Sequence, residues 1–279
     1  MDHPVPTQDR LVLVDAPSAL HVRTARGTDA QASCAACHLR DNCVAVLADG
    51  ASEAGHLLVG RRRLRKGELL FREGQACAYV YAVRVGTLKT AFTLEDGYEQ
   101  VTAFCFAGEL VGFEGLATGR HATFAVALED SEVCAIPHAE LMRLPPTATG
   151  PAPAARLVQA AAAELVREQA AKAVASLRQA DPRVAAFLLA LAGRMRERGF
   201  SGTQFELRMS RAEIGSYLGL TMESVSRALS TFAARGWITV SKRSIHILAA
   251  DALECLSRPV GSALVREHCP AGQPQALAA

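Results

Sequence analysis

From residue 154 to 179 the chain reads AARLVQAAAAELVREQAAKAVASLRQ, with neither glycine nor proline. Alanine has the highest intrinsic helix propensity and glycine and proline the lowest, so this stretch predicts one long helix. Its larger apolar residues, Leu157, Leu165, Val174 and Leu177, leave much of its surface to alanine. A helix of that length needs a partner surface, and self-pairing across a two-fold axis supplies one. Packing on the preceding domain is the alternative. The helix also divides the chain. PPTATGPAP at 145–153 breaks the structure ahead of it, and Asp181-Pro182 breaks it behind. Pro182 suits the first turn of a further helix, RVAAFLLALAGRMRERG, ended by Gly199.

Ahead of the divide the texture is different. Between Arg61 and Pro137, short apolar runs alternate with glycines: KGELLFREG, AYVYAVRVGTLKTAF, EDGYEQVTAFCFAGELVGFEGL and ATFAVALEDSEVCAIP. Alternation punctuated by glycine turns predicts an all-β roll or sandwich. Gly67, Gly74, Gly86, Gly97 and Gly108 fall at turn spacing. Residues 51–60 are expected to form a short helix leading into it, and residues 1–30 a loose arm.

Behind the divide lies FELRMSRAEIGSYLGLTMESVSRALSTFAARGWITVSKRSIHILAA. Ser210 and Glu213 fit a capping box, so a short helix should run from about Arg211 to Leu218. Gly219-Leu220 makes the turn, Thr221 caps a second helix reaching about Arg235, and Gly236 stops it. Two helices joined by a tight glycine-containing turn are the signature of a DNA-binding helix-turn-helix. Ile214, Leu218, Leu220, Val225 and Leu229 can fill its core. The second helix would then expose Met222, Glu223, Ser226 and Arg227 where such helices meet base edges. Arginine can pair with guanine, and glutamate can accept from cytosine N4. WITVSKRSIHIL reads as a two-stranded wing with Lys242 and Arg243 at its tip, placed for phosphate contact. Arg211 and Thr221 are further candidates for contact with the DNA backbone.

Charge supports a local nucleic-acid surface. The whole chain of 279 residues carries a net charge of only +2, yet eight Lys/Arg stand against four acids between Arg196 and His246. There is no run of apolar residues long enough for a membrane helix and no export signal at the N-terminus, so a cytoplasmic location is expected. No paired carboxylates or nucleophile–base arrangement stands out, so an enzyme is not expected.

Eight cysteines are present, and in a reducing compartment disulfides are the wrong first expectation. Cys34, Cys37 and Cys43 have the spacing C-x2-C-x5-C. Thiolates are soft ligands suited to iron–sulfur clusters or zinc. A cubane cluster wants a fourth ligand, and Cys77, Cys105 and Cys134 are the candidates. Spacing alone does not choose among them. Zinc with His38 as a ligand, or a thiol switch, is the alternative chemistry.

Taken in order, these motifs resemble the oxygen-sensing branch of the CRP/FNR superfamily of transcription regulators, the fumarate and nitrate reduction regulator branch. The resemblance runs from about Cys34 to Ala250. It implies an α+β fold: an N-terminal cyclic-nucleotide-binding-like β roll, a long dimerisation helix and a C-terminal winged helix-turn-helix. The implied boundaries are an arm with the cysteines at 1–50, the sensor roll at 51–150, the dimerisation helix at 151–181, the DNA-binding domain at 182–250 and a disordered tail at 251–279. It implies a [4Fe-4S] cluster held by Cys34, Cys37, Cys43 and, in SEVCAIP, Cys134. The family's E-x-x-S-R maps onto Glu223, Ser226 and Arg227, which implies a palindrome of TTGAT-type half-sites in double-stranded DNA. Glu168 takes the place of an acidic residue near the subunit contact of the homodimer, where like charges would oppose pairing. RNA polymerase is the further implied partner, and genes for anaerobic or microaerobic metabolism the implied targets. The chain departs from the nucleotide-binding relatives, which place an arginine beside a serine or threonine after their G-E-L stretch. Here Arg120-His121-Ala122-Thr123 displaces that pair, so a cyclic nucleotide is not expected.

Overall fold

In the computed structural model, Cys37, Leu39 and residues 60–141 and 153–257 are described. Cys34, His38, Cys43, the short helix expected at 51–60 apart from its last residue, and the arm at 1–30 lie outside them. Among the described residues, eight strands precede the long helix: β1 (Gly60–Leu64), β2 (Leu69–Phe71), β3 (Tyr79–Val85), β4 (Thr87–Thr93), β5 (Glu99–Phe106), β6 (Leu110–Val111), β7 (Phe124–Ala127) and β8 (Ser131–Pro137). They form two antiparallel sheets, ordered β1-β8-β3-β6 and β2-β7-β4-β5. Alternation along β8 shows how the roll is built. Ser131, Val133 and Ala135 are buried, whereas Glu132 and Cys134 between them are only half-buried. Leu64, Phe71, Tyr81, Val83, Leu88, Val111, Val133 and Ala135 make the roll's core. Gly86 shows why glycine is needed at one turn. Its φ is +96°, and a Cβ there would stand 2.1 Å from Ser131 Oγ.

After the short α1 (His138–Leu141), the long helix α2 spans Pro153–Ala175 and α3 spans Ala180–Glu197. Pro182 lies in the first turn of α3, and Gly199 follows its end with φ +78°. Near its start α2 seats Leu157 among Val80, Ala82 and Ile136 on the outer face of the first sheet. Farther along, Val158, Leu165 and Val166 are exposed on a face that no described element covers.

The C-terminal unit contains β9 (Gln204–Glu206), α4 (Arg211–Leu218), α5 (Met222–Ala234), β10 (Ile238–Ser241), β11 (Ser244–Ile247) and α6 (Ala250–Ser257). The wing is three-stranded, ordered β10-β11-β9, rather than the expected hairpin alone. A second correction concerns the expected disordered tail from 251. Its first residues form α6, which packs on α3 and buries Leu253 completely. The architecture is the α+β arrangement expected: roll, long helix and winged helix-turn-helix.

Candidate functional site

Local hydrogen bonding fixes the helix-turn-helix. Ser210 Oγ accepts from the Glu213 amide at 3.2 Å, and Glu213 Oε2 accepts from the Ser210 amide at 2.7 Å. This reciprocal box starts α4 where the sequence placed it. Gly219 ends α4 with φ +64°, and Thr221 Oγ1 accepts from the Ser224 amide to start α5. Gly215, which the sequence reading passed over, is equally necessary. A Cβ on it would come within 2.6 Å of the Leu220 carbonyl oxygen, closing the space the turn occupies. The signal was present as a glycine inside a predicted helix, which has a local cost and so points to close packing.

The second helix buries Val225, Ala228, Leu229 and Phe232 and turns its opposite side outward. Met222, Glu223 and Arg227 are exposed there, with Ser226 half-buried between them. Arg227 Nη2 donates to Ser224 Oγ at 3.2 Å, which holds the guanidinium along the helix. The Glu223 carboxyl is held below its ordinary range by its own amide and the Thr221 hydroxyl, so it is an ionised acceptor. Thr221 spends its hydroxyl on the cap; what remains for a phosphate at this point is the partial positive charge of the helix start. Lys242 sits at the wing tip with φ +55°, and Arg243 Nη1 donates to the Arg208 carbonyl at 3.0 Å. Arg211 is half-buried, and its Nη1 is a buried nitrogen without a hydrogen-bond partner among the described residues.

The described cysteines of the arm and the roll separate into two groups. Cys77 and Cys105 lie inside the roll. Burial, reinforced by Glu114 for Cys77 and by Glu109 for Cys105, pushes both thiols above their ordinary range and keeps them protonated. Cys134 lies on the outer face, opposite Ala82 of β3 and Arg61 of β1, and packs against the apolar set that seats Leu157 and Ala160 of α2. Cys37 lies against the Arg84 guanidinium of β3. Arg84 in turn bonds Glu132 at 2.6 Å, one residue removed from Cys134 along β8's outward series. Arg61 and Arg63 approach the same carboxylate at 4.0 and 3.4 Å. Three guanidiniums facing one carboxylate leave a local positive surplus. Glu168 is exposed on α2 and lines a groove with Arg167, Lys172, Gln100 and Arg194.

Inside the roll, the segment after Gly108-Glu109-Leu110 is closed on itself. Arg120 Nη1 donates to the Gly74 carbonyl at 2.7 Å. The His121 ring, almost fully buried, stacks on Phe71 with centroids 3.8 Å apart.

Comparisons with known proteins agree with this architecture. Residues 61–145 match the cyclic nucleotide-binding domain and residues 182–256 the Crp-like helix-turn-helix domain. The transcriptional activator protein Anr of Pseudomonas aeruginosa is 38% identical over 226 residues, covering 80% of this chain and 91% of that protein. The fumarate and nitrate reduction regulatory protein of Escherichia coli is 38% identical over 204 residues, covering 72% and 80%. The solved structure of FixK2 from Bradyrhizobium japonicum superposes with a TM-score of 0.65 at 30% identity, covering 73% of this chain and 99% of that one. With relatives of that identity along most of its length, the chain belongs to the CRP/FNR superfamily of DNA-binding transcription regulators.

Proposed function

We propose that the chain is an oxygen-responsive regulator of anaerobic or microaerobic metabolism, acting in the cytoplasm as a homodimer on palindromic TTGAT-type DNA. Cys34, Cys37, Cys43 and Cys134 would hold a [4Fe-4S] cluster. The residues described fit such a group: Cys37 and Cys134 are thiol donors on one face of one sheet, beside the arginine surplus around Glu132. When bound, the cluster would supply oxygen-labile bonds between arm and roll. One observation carries the reading. Cys134 packs against the set that seats Leu157 at the start of α2, so tying the arm to Cys134 bears directly on the long helix.

The residues of the chain then do the following. Leu157 and Ala160 fix the start of α2 on the roll. Val158, Leu165 and Val166 offer an apolar stripe to a second copy, with the Glu168 carboxylates opposing that pairing when the arm is untied. A dimer presents two α5 helices one DNA turn apart. Glu223, Ser226 and Arg227 read bases, while Lys242, Arg243, Arg211 and the start of α5 at Thr221 engage phosphates. The differing stability of the paired and unpaired states is the differential interaction that a switch requires. RNA polymerase would be the downstream partner. The closed segment around Arg120 and His121 supports a roll that works without a cyclic nucleotide.

Purification without oxygen, followed by iron and sulfide analysis and sedimentation before and after air, tests the proposal. Four iron per chain and a dimer that dissociates in air are expected. Stoichiometric zinc, or a colourless protein whose assembly ignores air, would replace this reading with another chemistry on the same fold.

A further inference from the structure

Glu109 is a carboxylate that neither the DNA surface nor the cysteine site uses, yet it is almost wholly buried. It lies in the turn between β5 and β6, and its side-chain partners are Arg194 of α3, the first helix of the DNA-binding unit, and Arg198, which caps the end of that helix. Arg194 Nε and Nη2 reach Glu109 at 3.1 and 2.5 Å, and Arg198 Nη2 donates to Glu109 Oε1. The Phe106 amide donates to Glu109 Oε2 at 2.8 Å. Roll carbonyls also accept from these guanidiniums, Phe104 O from Arg194 Nη2 at 2.5 Å and Ala107 O from Arg198 Nε at 2.7 Å, while Arg198 Nη1 donates to the Arg194 carbonyl. Apolar contact also joins the two parts, through Phe104, Phe106 and Val101. Such contact is non-directional, whereas a buried, hydrogen-bonded ion network favours one arrangement.

The same turn is touched from its other side. Leu39, two residues after Cys37, is buried, and its Cδ2 would lie 3.7 Å from a Cβ on Gly108, with Arg198 Nε at 3.8 Å from the same point. Arm, roll turn and DNA-binding helix therefore converge at Gly108-Glu109.

We infer that Glu109 is a positioning residue for DNA binding: with Arg194 and Arg198 it fixes the helix-turn-helix on the roll, and Leu39 couples that joint to the cysteine arm within one chain. The fixed pose leaves Met222, Glu223 and Arg227 exposed. The coupling to the arm rests on the function proposed above; the joint itself does not.

The test uses the full chain purified without oxygen, with Glu109→Gln, Glu109→Asp, Arg198→Gln and Leu39→Ala. Affinity for a palindromic duplex, the dimer dissociation constant and iron per chain are measured together. Glu109→Gln and Arg198→Gln should weaken DNA binding about tenfold while dimerisation and iron stay within about twofold of the parent. Glu109→Asp, which keeps the charge, should recover most of the loss. Leu39→Ala should weaken DNA binding with iron retained. Folded Gln variants that bind DNA like the parent, or that lose affinity only in step with dimerisation, would overturn the inference. An iron-free parent would instead sink the proposed function, and the Gln and Asp variants would still decide the joint.

Discussion

Ser216 Oγ donates to the Glu99 carbonyl at 2.7 Å and accepts from the Val101 amide at 2.8 Å. One hydroxyl of the first helix of the helix-turn-helix thus completes the backbone bonding of a roll strand edge. Lys89 adds an ion pair across the same seam, at 3.0 Å from both Glu99 and Glu213. Ser216→Ala would leave the buried Val101 amide unpaired, costing about 1–3 kcal/mol, and would take this donor from the Glu99 carbonyl. Urea unfolding should show that loss at pH 7, and a cost below about 0.5 kcal/mol would mean the seam relaxes around the missing hydroxyl.

Arg227 and Lys242 should fail differently on DNA. If Arg227 reads a base as proposed, Arg227→Ala should abolish about 1–3 kcal/mol of discrimination at one half-site position. If Lys242 meets a phosphate as proposed, Lys242→Ala should lower affinity alike on all sequences, with a shallower salt dependence. Binding to single-substituted duplexes at two salt concentrations separates the two. Equal losses on matched and mismatched sites for Arg227→Ala would remove it from base reading.

The sequence made the capped helices legible because caps are local chemistry. Ser210, Glu213, Gly219, Thr221 and Gly236 each act within a few residues of themselves. The joints between domains were hidden for the opposite reason. Ser216 reads as an ordinary helical serine until Val101, 115 residues away, is placed against it, and Glu109 reads as a turn carboxylate until α3 arrives. Helix α6 was missed because burial of Leu253 on α3, rather than any flanking signal, holds so short a segment. The cysteine site was half legible. Spacing marked the arm of the proposed site, and the family resemblance, through SEVCAIP, singled out Cys134; what the sequence did not show is that Cys77 and Cys105 lie inside the roll and Cys134 on its outer face.

Acid should loosen the joint at Glu109. Burial raises that carboxyl, but Arg194, Arg198 and the Phe106 amide outweigh it, so its folded value lies below the ordinary 4.5. A carboxylate depressed in the folded state contributes stability above its unfolded value and loses it as pH falls through the folded one. Melting temperature should therefore fall more steeply below pH 4.5 in the parent than in Glu109→Gln. Parallel curves would show that the carboxylate's ionisation is not linked to folding.

Glu168 is exposed on the flank of the α2 stripe formed by Val158, Leu165 and Val166. If like charges there oppose pairing, Glu168→Ala should shift the air-exposed protein toward dimer by about 1 kcal/mol, roughly fivefold in the dissociation constant. Sedimentation at low salt reads this directly, and high salt should shrink the difference between variant and parent. A variant as monomeric as the parent at low salt would place the source of repulsion elsewhere.

Cys134→Ser is the sharpest test of the fourth ligand. The side chain is half-buried on the outer face, so exchanging sulfur for oxygen should change stability little, by about 0.5 kcal/mol or less. Iron per chain should nonetheless collapse in that variant, because an alcohol is a poor ligand for iron–sulfur chemistry. Cys77→Ser and Cys105→Ser should do the reverse. Both thiols are buried and kept protonated, so their replacement should cost stability and leave iron in place. Full iron retention by Cys134→Ser would remove it from the ligand set. Selective loss with Cys105→Ser would require β5 to open its inner face to the arm, which the packing of Cys105 with Leu88, Val111 and Val133 opposes.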